Sequence, residues 1–348
     1  MCVQCKNIYQ YKDNFAGLEL SDTELLSGNL EDTQNPLVSI IIPVYKRLEY
    51  LHEAINSAID QRNIDFVYEI IVVCDDPGTQ LPQINEYRQI KNLYFYRNRR
   101  NLGLYNNSNL AAKIARGRYI SFLHDDDILY PDYLSETEKF LLSEKDACCV
   151  LANRDTTFTS FSIKRHIKRF VLLPSLAIRR IFSKRYKLIT LREGLTYLLS
   201  NVYKAPSCGA LFEKEAFLKS GGFNQDFWPV SDYYFFLKFN LSHPVYMSRK
   251  KLACYRWFDN LSQNKTIQLS GFEHLADFFQ SVQPIDAVNR YYKYFHTEIL
   301  YSKFLMINRE YRNEIVDKFP ELKRRNAIKW AFFKCYNIAF SFFRNLVL

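Results

Sequence analysis

Three consecutive carboxylates, Asp125, Asp126 and Asp127, follow the apolar run Tyr119 to Leu123. Like charges at that spacing repel strongly unless a cation neutralises them, and a divalent ion is the natural partner. Oxygen ligands with coordination positions left over suit Mg²⁺ or Mn²⁺ bridging to phosphate better than a buried structural zinc. The plainer alternative is a solvated acidic turn, or a cap for the helix after Pro131. Asp75 and Asp76 close another apolar run. There they can accept hydrogen bonds from a base or ribose, with Pro43 and Tyr45 shaping the wall, or simply form a turn before Pro77 and Gly78. Asn101 and Gly103 suit either a loop whose backbone approaches a ligand or a plain turn. Asp232 opens the helix-like run Tyr233 to Asn240. It is either a helix cap or a base able to take a proton from a hydroxyl, with Asp226 as a nearby alternative.

The elements carrying these residues follow from patterning. From Val38 onward, β-rich runs alternate with helical ones, the signature of an α/β domain with a largely parallel sheet. Val38 to Pro43, Tyr68 to Asp75, Leu93 to Arg97 and Tyr119 to Leu123 read as strands. Leu48, Leu51, Ile55 and Ile59 fall near helical spacing, and an Ala-rich helix is expected from about Tyr105 to Arg116. A helix from Pro131 to about Ser143 and a strand near Cys148 to Ala152 continue the domain. Ligands of open α/β sheets bind beyond the carboxyl ends of the strands, where Asp75, Asp76 and His124 to Asp127 all fall.

The chain has 348 residues, 48% of them hydrophobic and 24% charged, enough apolar material for one large core or two unequal domains. Its start lacks the uninterrupted apolar stretch of a secretory signal, which points to the cytoplasm. The scattered cysteines read as reduced thiols, and Cys2 and Cys5 lack a second pair at zinc-finger spacing. A formal charge of +10, locally concentrated, implies an anionic partner: a nucleotide, a phospholipid surface or nucleic acid. No RNP-like, zinc-finger or helix-turn-helix signature is visible, which argues against a nucleic-acid-binding module.

The ordered set of motifs resembles the family 2 glycosyltransferases, inverting enzymes of the GT-A fold. Pro43, Val44 and Tyr45 match the family's opening strand and loop, and Leu51, Ala54, Ile55, Ser57 and Gln61 its first helix. The strand ending at Asp75 and Asp76 matches the nucleotide-base loop. Asn101, Leu102, Gly103, Asn109, Ala115, Gly117 and Tyr119 match the stretch leading to the metal motif in Phe122 to Leu134. Gly221, Gly222, Phe223, Ser231 and Asp232 match the acceptor-side motif, and Tyr255, Arg256, Asn260 and Ser262 the closing loop. The resemblance implies a GT-A, Rossmann-like, mostly parallel sheet flanked by helices, spanning residues 37–265, after an extension over 1–36 and before a helical region over 266–348.

The same resemblance implies the roles. Asp126 and Asp127 would hold Mn²⁺ or Mg²⁺. Pro43, Tyr45, Asp75, Asp76, Asn101, Gly103, His124, Asp125 and Arg256 would bind the donor nucleotide, Arg256 through phosphate. His124 stands where the family has an Asp, so it contacts nucleotide, binds metal weakly or only packs; nucleotide contact is favoured. Asp232 matches the catalytic base, with Ser231 replacing the usual Glu, and Phe258 stands where a His often occurs. The expected activity is a single inverting displacement that moves a sugar from a nucleotide-sugar, a UDP-sugar foremost, to a glycan or lipid-linked acceptor of a surface polysaccharide. A catalytically retired nucleotide-binding scaffold is the alternative.

Two basic segments bear on location. Residues 161–187 interleave Lys and Arg with apolar residues. From Ile328 to Leu346, apolar residues recur at helical spacing behind Lys323, Arg324 and Arg325. An amphipathic helix over 323–348 suits the interface of an anionic bilayer, giving peripheral contact at the inner face of the cell membrane. A full span is disfavoured by Lys334 and Arg344.

Overall fold

In a computed structural model, the described residues are 10–144, 146–157, 186–189, 207–256, 264, 266–271, 273, 274 and 317. Cys2 and Cys5, nearly all of segment 161–187, Phe258, Asn260, Ser262 and the helix expected over 323–348 lie outside them. The elements in chain order are β1 Thr23–Ser27, β2 Val38–Val44, α1 Leu51–Ile59, β3 Tyr68–Cys74, the single turn α2 Gln83–Glu86, β4 Leu93–Asn98, α3 Leu104–Ile114 and β5 Tyr119–Phe122. There follow β6 Ile128–Leu129, α4 Tyr133–Ser143, β7 Cys149–Thr157, β8 Tyr186–Ile189, β9 Ala210–Glu213, α5 Lys214–Lys219, α6 Ser231–Ser242 and β10 Val245–Arg256.

One sheet runs in the order β1-β4-β3-β2-β5-β9-β7-β10-β6, with β8 on β10. Its parallel part is β4-β3-β2-β5, the stretch most legible from the strand pattern. The other half is mixed: β9 is antiparallel to both β5 and β7, and β10 is parallel to β7. Two reversals restore direction, so β7 and β10 point the same way as β5. The loops after β2, β3, β4, β5 and β10 therefore meet on one side.

Strand β2 is buried at every position, as expected for a strand covered on both faces. Ile40 and Ile42 point into one core with Leu51, Ala54, Ile55 and Ala58 of α1, which repeat at i, i+3, i+4 and i+7. Ile41 points into the other, with α3 and α6. Full burial of a side chain such as Leu51 or Ile55 stabilises by about 1.5–3 kcal/mol. Pro43, without an N–H, is tolerated inside this central strand because the ladder to β5 has ended at Ile41.

The second core is aromatic. Phe212, Phe217, Phe223 and Phe235 pack around Phe122, with Phe217 and Phe223 5.2 Å apart between centroids and Phe223 and Phe235 4.9 Å apart. This cluster fixes α6 against the end of β5. Residues ahead of Leu37 also join the fold: β1 lies antiparallel on β4, and Phe15 packs edge-on against Phe217. Among the described residues Cys74, Cys148, Cys149, Cys208 and Cys254 are free thiols, and no helix is long and apolar enough to cross a membrane.

Candidate active site

The acidic run lies just beyond β5. Asp126 and Asp127 are buried, and their carboxylates with the His124 imidazole place one donor atom each within 4.8 Å of one another. Two carboxylates and one imidazole form a donor set that fits Mn²⁺ and accommodates Mg²⁺ through the oxygens.

Each member is held by a second residue. His124 Nδ1 lies 3.0 Å from Asp127 Oδ2, and its Nε2 lies 2.9 Å from Ser207 Oγ. In this arrangement both ring nitrogens engage protein groups, so the imidazole orients Asp127. Burial opposes charge on His124, yet the hydrogen bond to Asp127 and the charges of Asp127, Asp126 and Asp125 push its pKa up to about 9. The same crowding acts in reverse on the acids. Burial and then the Asp126 charge push Asp125 up to about 7, and burial with the Asp127 charge raises Asp126.

Cations close the cluster. Arg47, in the loop after β2, donates from Nη2 to Asp126 Oδ2 at 2.7 Å. Arg256, at the end of β10, donates its backbone N–H to Asp127 Oδ1 and its Nε to the Asp126 carbonyl, both at 2.8 Å. Its Nη2 reaches Glu53 Oε2 at 2.6 Å, and its guanidinium lies 4.0 Å from the Tyr50 ring centroid. Sequence reasoning singled out Arg256 and passed over Arg47, Tyr50, Glu53 and Ser207. The signal for Arg47 was its place: a basic residue just past a strand whose neighbour ends in carboxylates.

A second group forms beyond β3 and β4. Asp75 Oδ1 accepts from Asn98 Nδ2 and Leu102 N–H, and Oδ2 from Gly103 N–H, each at 2.8 Å. Burial raises its pKa, and those three donors oppose the rise. Asp75, only 2% exposed, thus anchors the Asn101–Gly103 loop. Asp76 is more open and accepts from Thr79 Oγ1 at 2.6 Å. Tyr45 is exposed, with the Lys46 ammonium 5.2 Å from its ring centroid. Gly103 has φ +82°, and a Cβ there would stand 2.7 Å from Gln225 Nε2. Gln225 Oε1 in turn accepts from Tyr105 N–H at 2.9 Å, joining this loop to the segment ahead of α6.

Asp232 lies in the first turn of α6. It is 7% exposed; burial pushes its pKa up to about 6, with His124 the foremost opposing charge. Its Oδ1 accepts from the neighbouring Tyr233 N–H at 3.0 Å. The turn before it is fixed by Asn109, which exchanges two hydrogen bonds with the Phe223 backbone at 2.7 and 2.9 Å. Ser231 Oγ accepts from Asn224 N–H at 2.8 Å. Asp226, the alternative acid, pairs with Lys12 at 2.6 Å and is about half exposed. The low-dielectric surroundings that raise a carboxyl toward neutrality belong to Asp232.

Comparison with known proteins adds an independent line. The model of glycosyl transferase family 2 matches residues 39–219. An uncharacterised glycosyltransferase of Rickettsia typhi is 31% identical over 254 residues, 72% of this chain and 73% of that protein. One from Methanocaldococcus jannaschii is 38% identical over 119 residues, 33% of this chain and 40% of that protein. Among solved structures, S. aureus TarS in complex with UDP-GlcNAc aligns at a TM-score of 0.53 and 17% identity, covering 80% of this chain and 92% of that one. The mannosyltransferase PcManGT of Pyrobaculum calidifontis, in complex with GDP-Man and Mn²⁺, aligns at 0.53 and 14% identity, covering 88% and 86%. At such identities the likeness is one of fold.

Proposed function

The chain belongs to glycosyltransferase family 2, and from that premise we propose that it is an inverting enzyme that moves a sugar from a UDP-sugar to a glycan or lipid-linked acceptor. The observation that carries the reading is the buried pair Asp126 and Asp127 gathered with His124, whose charge also acts on the buried acid Asp232. Asp126 and Asp127 would hold Mn²⁺ or Mg²⁺, with His124 orienting Asp127. When bound, the cation supplies positive charge to the departing diphosphate. The UDP-GlcNAc of TarS, and the GDP-Man and Mn²⁺ of PcManGT, support a nucleotide-sugar donor and a divalent ion.

Donor contacts are assigned to Pro43, Tyr45, Asp76, Asn101, His124 and Asp125, with Asp75 and Gly103 shaping the loop that completes the pocket. Arg256 and Arg47 place guanidinium charge beside the diphosphate. Asp232 accepts the proton of the acceptor hydroxyl as that oxygen bonds to the anomeric carbon. The bond from that carbon to the diphosphate breaks in the same step, and the electron pair leaves with the nucleotide. Attack opposite the leaving group inverts the centre. The basic segment 161–187 and the amphipathic stretch 323–348 favour a lipid-linked acceptor and peripheral contact at the inner membrane face.

A donor screen by nucleotide release, with and without Mn²⁺, tests this. Asp126→Ala should lose metal-dependent UDP binding; Asp232→Ala should keep it and lose transfer. A retained anomeric configuration in the product would remove the single-displacement mechanism, and an unchanged membrane fraction after deletion of 323–348 would remove the membrane contact.

A further inference from the structure

A cleft of about 290 Å³ lies between residues 10–14 and α6, apart from the loops that hold the acidic run. Its lining includes Tyr11, Lys12, Asn224, Phe227, Tyr234 and Lys238. Phe227 and Tyr234 stack on each other at 3.9 Å with their planes 4° apart and close one side of the cleft, while the exposed Tyr11 ring offers apolar surface of the kind against which the C–H face of a sugar ring packs. Amides supply donors and acceptors at its rim.

Charge in the cleft is unbalanced. Lys12 is neutralised by Asp226 at 2.6 Å. Lys238 is half-buried, its ammonium 4.8 Å from the Tyr11 ring centroid, and no carboxylate pairs with it among the described residues. Burial alone lowers its pKa, the mark of a cation that has lost water and gained no anion. Among the described lining residues, Lys12, Asp226 and Lys238 together leave one positive charge at the cavity. The cleft also shares the first turn of α6 with the reacting centre, since Ser231 lines it and Asp232 follows. Asp75, Asp126 and Asp127 are not among its described lining residues, and its link to the site runs through the first turn of α6.

We propose that this cleft receives an anionic sugar unit of the acceptor, whose carboxylate or phosphate meets Lys238 while the ring packs beside Tyr11. The proposal rests on the reading of Asp232 as the base that faces the acceptor. It gives residues 10–14 a function, because they form the roof over the cation.

The test uses the full chain and three probes: glucuronic acid, glucose 1-phosphate and glucose, titrated by ligand-observed NMR. Binding of at least one anionic probe about tenfold tighter than glucose is expected, and which of the two binds better distinguishes carboxylate from phosphate. Lys238→Met should erase that preference, and Tyr11→Ala should weaken all three probes, while UDP binding with Mn²⁺ stays at the wild-type level in both. A thermal melt confirms that each variant is folded; were Lys238→Met unfolded, Lys238→Gln and Tyr11→Ala decide. Equal binding of glucose and the anions, or a preference that survives loss of Lys238, overturns the proposal. Asp232→Asn keeps the probe titrations and loses transfer; transfer that persists in that variant refutes the base alone, and the titrations still decide the cleft.

Discussion

Arg47 Nη2 lies 2.7 Å from Asp126 Oδ2, so the carboxylate proposed to grip a divalent cation also holds a guanidinium. The two positive partners compete for one oxygen until a diphosphate arrives to engage both. Arg47→Met should therefore tighten Mn²⁺ alone by about fivefold, as expected for loss of roughly 1 kcal/mol of competing ion pair. It should weaken UDP at saturating Mn²⁺ by about tenfold. Mn²⁺ titration by electron paramagnetic resonance and UDP calorimetry read these opposite signs separately.

Asp232 sets a pH dependence whose direction is fixed. Burial raises its pKa to about 6, so the base form grows as pH rises through that value, and kcat should climb from pH 5 to pH 7. For stability the sign is reversed. The folded carboxyl binds its proton more tightly than the unfolded one, so its contribution is complete below about pH 3.9 and is lost as pH rises through about 6. Asp232→Asn should abolish transfer yet stabilise the fold at pH 8, on the order of 1–3 kcal/mol. A lower denaturation midpoint for this variant at pH 8 would contradict the shift.

Glu69 is 1% exposed and accepts from Ser39 Oγ at 2.6 Å, Arg116 N–H at 2.7 Å and Arg116 Nε at 2.8 Å. Arg116 Nη1 also donates to the Leu30 and Thr33 carbonyls, tying the N-terminal segment to β3. Arg116→Met would leave a buried carboxylate short of its cation, and should destabilise by about 3 kcal/mol in urea titration. The double variant Arg116→Met/Glu69→Gln should recover part of that loss, since the uncompensated charge is gone.

Gly103→Ala combines strain at φ +82°, ψ 158°, a region essentially confined to glycine, with a contact on Gln225, at about 1–3 kcal/mol for the backbone part. Donor KM should rise while Asp232 is untouched. Gln225→Ala added to it relieves the steric part alone, because that neighbour is the far end of a flexible side chain; a full return of KM would show that φ is not the constraint.

How much of this was legible depends on the range over which a pattern acts. The apolar run Val38 to Pro43 and the spacing of Leu48, Leu51, Ile55 and Ile59 are local patterns, and the structure has β2 at Val38–Val44 and α1 at Leu51–Ile59. Strand β10 pairs with β7, β8 and β6 through shifted register, a product of distant partners that no local run encodes. Asp75 stands out locally because it ends a strand; the three protein donors it also holds, on Asn98, Leu102 and Gly103, come from residues no local run ties to it. Arg47 was legible only by its place just past a strand; its partner Asp126 lies 79 positions later, and no local run encodes that pairing.

Strand β1 has a consequence for how this enzyme can be cut. The match to the family begins at residue 39, and β1 at Thr23–Ser27 pairs with β4 from outside that boundary. A domain trimmed to the match would bare the hydrogen-bonding edge of Leu93–Asn98, an open template for a second copy. Trimming there should promote self-association through the bared strand edge.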